Sequence, residues 1–236
     1  MASIAAVCLL AMDLRNLLSG RRVVFVRHGN TGKADVDAER QLTDKGKRQC
    51  EQFRDAWASV LDGVTDVYAS PVSRTMETAG LLAGPAGLAV TPVDDLYFVK
   101  PWRTDAMKAA DNDLGYAPIG AYLDKYPGVH DAAAKRMAAA VAETAAAKTL
   151  GSGALLIVGH AGYLSLLALE VLEALAPPGP EGEAWLAEGR EVVRASNVGE
   201  VSGFEARVDG KVRYLPNPES TDFAAAKSND AFVTGR

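Results

Sequence analysis

Two stretches, VVFVRHGNT at 23–31 and ALLIVGHAG at 154–162, share one plan: an apolar run delivers a histidine to the start of a turn. His28 and His160 are two of only three histidines in the chain, so their common setting is informative. Arg27 places a fixed cation beside His28, which suits a nucleophile that must work on a phosphate. Arg74, in SPVSR at 70–74, supplies a second guanidinium at the same kind of edge. Phosphate satisfies two imidazoles and two guanidiniums together, because the arginine fork matches its oxygens. A metal site would want carboxylates or cysteines with the histidines, and the arginines would repel the ion. No metal and no cofactor are therefore expected. On the first nine residues alone, a strand that merely ends in polar surface residues accounts for the pattern equally well.

The elements that must position these groups read as follows. Val23–Val26 form a short buried strand, and Gly29 lets the chain turn at its carboxyl end. Ligands bind at that edge of an open α/β sheet. A polar loop leads to Thr43, the cap of a helix whose buried face is Cys50, Phe53, Trp57 and Val60. Asp66–Ala69 is a second strand. Ser70 and Pro71 then read as cap and first residue of a helix carrying Arg74 in its first turn. Leu88–Val93 is a third strand, ending in Asp94 and Asp95. Residues 96–130, with Pro101, Pro118 and Pro127, read as an irregular insertion over the ligand edge.

Asp131 caps an alanine-rich helix to about Lys148. The fourth strand, from Ala154, ends in Gly159 and His160, with Ala161 and Gly162 allowing close backbone approach before an apolar helix to Leu175. Pro177 to Gly182 is a loop. Residues 191–215 hold short β segments, with a hairpin turn at Asp209-Gly210. His130, at a helix start, reads as a surface residue and Trp57 as core. Tyr97, Trp102 and Tyr116 fit pocket lining and aromatic packing equally well. Lys100 and Arg103 read as a solvated loop, with extension of the positive field toward a phosphorylated substrate as the alternative.

The 236 residues, 48% hydrophobic and 23% charged, have an ordinary globular composition. A net charge of −5 without a basic run argues against nucleic acid as a partner. Cys8 and Cys50 are too few for a disulfide framework. Residues 1–20 are a poor secretory signal and too short to span a bilayer, so no membrane partner is expected. They read as a leader helix, with an organellar transit segment as the alternative, since the segment holds Ala, Leu and Arg15. Residues 21–236 then form one domain with the insertion at about 96–130. The expected location is cytoplasmic, or organellar if the leader is a transit segment. A homodimer is left open.

The ordered motifs RHGNT (27–31), Leu42-Thr43 with Gly46, Ser70-Pro71 with Arg74-Thr75 and Thr78-Ala79, and GHAG (159–162) resemble the histidine phosphatase superfamily, which includes the cofactor-dependent phosphoglycerate mutases. The resemblance covers roughly residues 22–215. It implies an α/β fold: a mixed, mostly parallel sheet flanked by helices on both faces, with a small insertion over the ligand edge. It also implies that His28 becomes a phosphohistidine, that Arg27, Arg74 and His160 bind the phosphoryl group, and that Asn30 lines the pocket. Thr31 and Ala161 belong to the same substrate-binding set, and Asn197 resembles an asparagine that the family carries on a late strand.

One departure bears on chemistry. Many members carry a glutamate as general acid in a Leu-x-Glu pattern after the third strand. In D94-D95-L96-Y97-F98 that position is Phe98, and Asp95 is the nearest substitute. The expectation is a metal-independent phosphomonoester hydrolase acting on a phosphorylated small molecule or a phosphoprotein. The alternative is a catalytically weak phosphate- or phosphoprotein-binding module. A phosphoglycerate mutase is disfavoured by the missing glutamate.

Overall fold

The computed structural model describes residues 14–97, 103–148, 150–207 and 211–228. Strand β1 (Val23–Arg27) is followed by α1 (Asp44–Ala56), α2 (Ala58–Leu61), β2 (Val64–Ala69), α3 (Ser73–Ala83) and β3 (Val90–Pro92). Then come α4 (Asp105–Leu114), α5 (Ile119–Lys125), α6 (Asp131–Ala146), β4 (Ala154–Gly159) and α7 (Ala161–Leu175). The described residues end with α8 (Pro180–Ala195), β5 (Gly203–Ala206), β6 (Val212–Leu215) and α9 (Phe223–Ser228). The strands form one sheet in the order β3-β2-β4-β1-β5-β6. β1 to β4 run parallel, and β5 and β6 join antiparallel at one end. This is the mixed, mostly parallel sheet expected.

β1 and β4 are apolar throughout their buried length because helices cover both faces of the sheet, as parallel strands require. On one face Phe25, Leu155, Ile157 and Phe204 pack with Met137, Val141, Leu167 and Val193 of α6, α7 and α8. On the other, Val24, Val26, Leu156 and Val158 meet Phe53, Trp57, Ala79 and Leu82. Each such side chain contributes roughly 1.5–3 kcal/mol when fully buried.

The register sets up the site. Val26 pairs with Val158 and Arg27 with Gly159, so β1 and β4 release His28 and His160 at the same level. Ala69 also pairs with Val158, which brings Ser70 to that level from β2. Neighbouring strands lie about 4.8 Å apart, so three consecutive strand ends must crowd their first loop residues together.

Several local expectations change. Ser70 is not a helix cap: α3 starts at Ser73 behind Val72, and Ser70 is fully buried at the strand end. The insertion is not irregular, since α4 and α5 occupy much of it, with Thr104 capping α4 through Met107 N at 3.2 Å. Asp131 lies in the first turn of α6 and His130 precedes it as the cap residue. Residues 180–195 form α8 rather than a loop and a strand. The Asp209-Gly210 turn, Lys100, Pro101, Trp102, Phe98 and residues 1–13 lie outside the described residues. Of the leader, residues 14–18 are helical, with Leu14 and Leu18 buried in the core. No helix among the described residues is long and apolar enough to cross a membrane.

Candidate active site

Above the three strand ends lies a cavity of about 520 Å³, whose inner wall includes Arg27, His28, Thr31, Arg74, His160 and Ala161. The two imidazole centroids are 5.2 Å apart, edge to face. His28 Nδ1 is 2.8 Å from the carbonyl of Gly29. A carbonyl only accepts, so Nδ1 carries the hydrogen and the lone pair sits on Nε2. Burial first, and then the charges of Arg27 and Arg74, press the His28 pKa down to about 4. His160 is held well below its usual range by burial, His28 and Arg74, and its Nε2 is 2.9 Å from Ser70 Oγ. Both rings are neutral at pH 7, and His28 presents an unprotonated nitrogen.

The guanidiniums are buried but incompletely paired. Arg27 Nη1 donates to Val198 O at 2.9 Å. Arg74, only 4% exposed, donates to the carbonyl of Asp37 at 2.6 Å and to its Oδ2 at 2.8 Å. The Nε atoms of Arg27 and Arg74 are buried with no hydrogen-bond partner among the described residues. Both residues also line the cavity, where a guanidinium can meet acceptor oxygens through its outer nitrogens. The opening residues of α7, Ala161 to Tyr163, add backbone N–H groups that favour an anion.

Asp37, Arg40, Tyr97 and Glu200 complete the rim, and the sequence reading did not single out three of these four. Burial opposes ionisation of Asp37, but hydrogen bonds from Tyr97 and Arg74 prevail and hold its pKa at about 2. Arg40 bonds Thr31 Oγ1, donates to Gly32 O at 3.0 Å and reaches Asp37 Oδ1 at 3.2 Å. Tyr97, left between pocket and packing, does line the cavity, with its ring 5.4 Å from that of His160.

Other expected residues lie elsewhere. Asp95 is ion-paired to Arg136 of α6 at 2.9 Å and does not line the cavity, because the turn at residues 94–96 points it to that helix. Asn30 is likewise absent from the wall: it donates to Glu200 Oε1 at 2.8 Å and accepts from Thr43 Oγ1 at 2.7 Å, fixing the loop behind the site. Asn197 is exposed, and its carbonyl accepts from the Tyr214 hydroxyl at 2.7 Å. A histidine signal was available for one further residue. His130 is 3% exposed and lines the outer cavity, against the expectation of a surface residue, because α4 and α5 fold over it. Arg103 stands in a bend with its side chain 39% exposed, as expected of a solvated loop, and it pairs with Asp111 on the same wall. Among the described residues no group of three or more His, Cys, Asp or Glu is placed to hold a metal ion.

A family model described as histidine phosphatase superfamily (branch 1) matches residues 23–179. Among solved structures, the phosphoserine phosphatase of Entamoeba histolytica, in complex with 3-phosphoglyceric acid, is similar at 16% identity and a TM-score of 0.50. The match covers 86% of this chain and 99% of that one. A mycobacterial glucosyl-3-phosphoglycerate phosphatase with inorganic phosphate matches at 20% identity and a TM-score of 0.51, over 82% of this chain and 94% of that one. At these identities the likeness is one of fold. No curated protein sequence matches the chain.

Proposed function

We propose that this chain, which belongs to branch 1 of the histidine phosphatase superfamily, hydrolyses phosphomonoesters through a phosphohistidine at His28. The observation that carries the reading is the convergence of Arg27, Arg74 and His160 on a neutral His28 in one cavity wall. In the first step His28 Nε2 bonds to phosphorus as the ester P–O bond breaks, and the leaving oxygen takes a proton. In the second, water attacks the phosphohistidine, phosphate departs and the imidazole is restored. The charge on the phosphoryl oxygens is met by the guanidiniums, His160 and the first N–H groups of α7, so positioning and electrostatics carry the rate.

Asp37 suits the proton donor better than Asp95, because it lines the cavity while Asp95 is tied to Arg136. With Tyr97 and Arg74 bonded to it, Asp37 is a carboxylate. A bound phosphoryl dianion would draw Arg74 away and set a negative charge beside it, and both changes raise a carboxyl pKa. Asp37 takes up a proton from solvent as the phosphoryl group binds, gives it to the leaving oxygen, and recovers one from the attacking water, whose hydroxyl leaves on the inorganic phosphate.

The substrate class that fits is a phosphorylated small molecule or a phosphoprotein. The direct test is release of inorganic phosphate from p-nitrophenyl phosphate in excess EDTA. Wild-type protein should turn over under chelation, since arginines supply the positive charge, and His28→Ala should lose on the order of 10³-fold or more. Tight vanadate binding without turnover would instead identify a phosphate-binding module. Activity abolished by EDTA and restored by a divalent metal would contradict the mechanism.

A further inference from the structure

We propose that Glu200 restrains the affinity of the phosphoryl pocket for inorganic phosphate, so that the product of hydrolysis can leave. This deepens the phosphatase reading and rests on it.

A bare carboxylate is out of place in a wall built for an anion. Glu200 lines the same cavity as Arg27, His28, Arg40 and Arg74. The other two carboxylates on that wall, Asp37 and Asp111, are each ion-paired with an arginine. Glu200 has no ion pair among the described residues. Its oxygens are held by side-chain amides instead: Asn30 Nδ2 donates to Oε1 at 2.8 Å, and Gln49 Nε2 donates to Oε2 at 3.2 Å. Amides fix the carboxylate and satisfy its oxygens while bringing no compensating charge.

The backbone that presents Glu200 is strained. Val201 has φ at +46°, the one non-glycine residue with positive φ among the described residues, and a β-branched side chain disfavours that region. The turn sends Val201 into the core, fully buried, while Glu200 beside it reaches the cavity. It is pinned to the end of β1: Arg27 N donates to Ser202 O at 2.9 Å, and Val201 N donates to His28 O at 3.4 Å. Asn217 Nδ2 holds the carbonyl of Glu200 at 2.9 Å. Strain of this kind persists where the surroundings over-determine it, and it gathers at functional sites.

The same turn holds the phosphate-binding side chain, since Arg27 Nη1 donates to Val198 O. Burial lowers the Arg27 pKa, and Glu200 is the foremost of the charges that oppose it. Three guanidiniums with no such restraint would hold a phosphate dianion tightly. Affinity shared by substrate and product does not raise kcat, and slow product release limits many enzymes. A fixed negative charge on the wall weakens phosphate binding without touching His28.

The experiment measures inorganic phosphate binding by calorimetry at low ionic strength, together with product inhibition of p-nitrophenyl phosphate turnover. Glu200→Gln and Glu200→Ala should each tighten the phosphate Kd on the order of tenfold, as removal of one like charge from a partly buried site gives, and the inhibition constant should fall in step. Glu200→Asp keeps the charge and should stay within about twofold of the wild type. A role confined to holding Asn30 and Gln49 would give the opposite sign, because a loosened site binds phosphate more weakly. Unchanged or weaker binding in the neutral variants would overturn the proposal, and so would Glu200→Asp binding as tightly as Glu200→Gln. If only one neutral variant folds, it decides the comparison alone. Phosphate binding by the wild type with no turnover of any ester would instead defeat the phosphatase reading, and the role in product release with it.

Discussion

At the scale of single residues, the account depends on His28 being unprotonated and on a carboxyl group that can hold a proton. Burial moves the His28 pKa from 6.5 to about 4, a difference of roughly 3 kcal/mol between its two protonation states. Between those pH values the unfolded chain binds a proton that the folded chain refuses. Stability from this group is therefore complete above pH 6.5 and falls as pH drops toward 4. NMR titration of labelled imidazoles in the free protein should place the His28 midpoint near 4, and an ordinary midpoint would remove the argument for a free nucleophile. Asp37 and Asp95 are separated by leaving-group dependence. Asp37→Asn should slow an alkyl phosphate by ~10²-fold while costing much less with p-nitrophenyl phosphate, whose leaving oxygen is a weak base. Asp95→Asn should affect both alike, through its contact with Arg136. The reverse pattern would return the acid's role to Asp95.

At the scale of elements, the site depends on how closely the turn after β1 approaches the first turn of α1. A Cβ on Gly46 would lie 2.2 Å from Asn30 O, and one on Gly29 would lie 2.9 Å from Gly46 O. The loop that shapes the His28 turn thus packs backbone to backbone on the helix, held by Thr43 N to Asn30 O at 3.0 Å. Gly46→Ala should lower stability by about 1–3 kcal/mol in denaturant unfolding and reduce turnover together with it, because the turn must shift. Unchanged stability and activity would mean that this packing does not hold the site. The same kind of approach accounts for α8, where the sequence pattern predicts a loop and short strands. Val192 and Val193 favour strands, and Gly182 and Gly189 are weak in helices, so local propensity argued against a helix. Tertiary contact overrides it: a Cβ on Gly189 would be 2.9 Å from Val212 Cγ2 and 3.3 Å from Leu172 Cδ1.

At the scale of the whole molecule, the inner half of the site was legible and the outer half was not. Arg27 closes β1, His28 and His160 follow strands, and Arg74 lies in the first turn of a helix, so local pattern fixes their level at the sheet edge. Parallel register then brings them together. Asp37, Asp111 and His130 reach the cavity from a polar loop, from α4 and from the start of α6. Their convergence depends on how the insertion folds back, and no periodicity in the sequence encodes that. Asp95 was chosen for its place after β3, but the short turn at 94–96 carries it to Arg136. Everything proposed for substrate and acid presupposes a covalent intermediate at His28. Rapid acid or base quenching of the protein with ³²P-labelled phosphomonoester tests it most directly. The account predicts an acid-labile, base-stable phosphoryl label on the wild-type chain at His28 and none on His28→Ala. Burst-free turnover with no label on His28, or a label retained by the alanine variant, would contradict it.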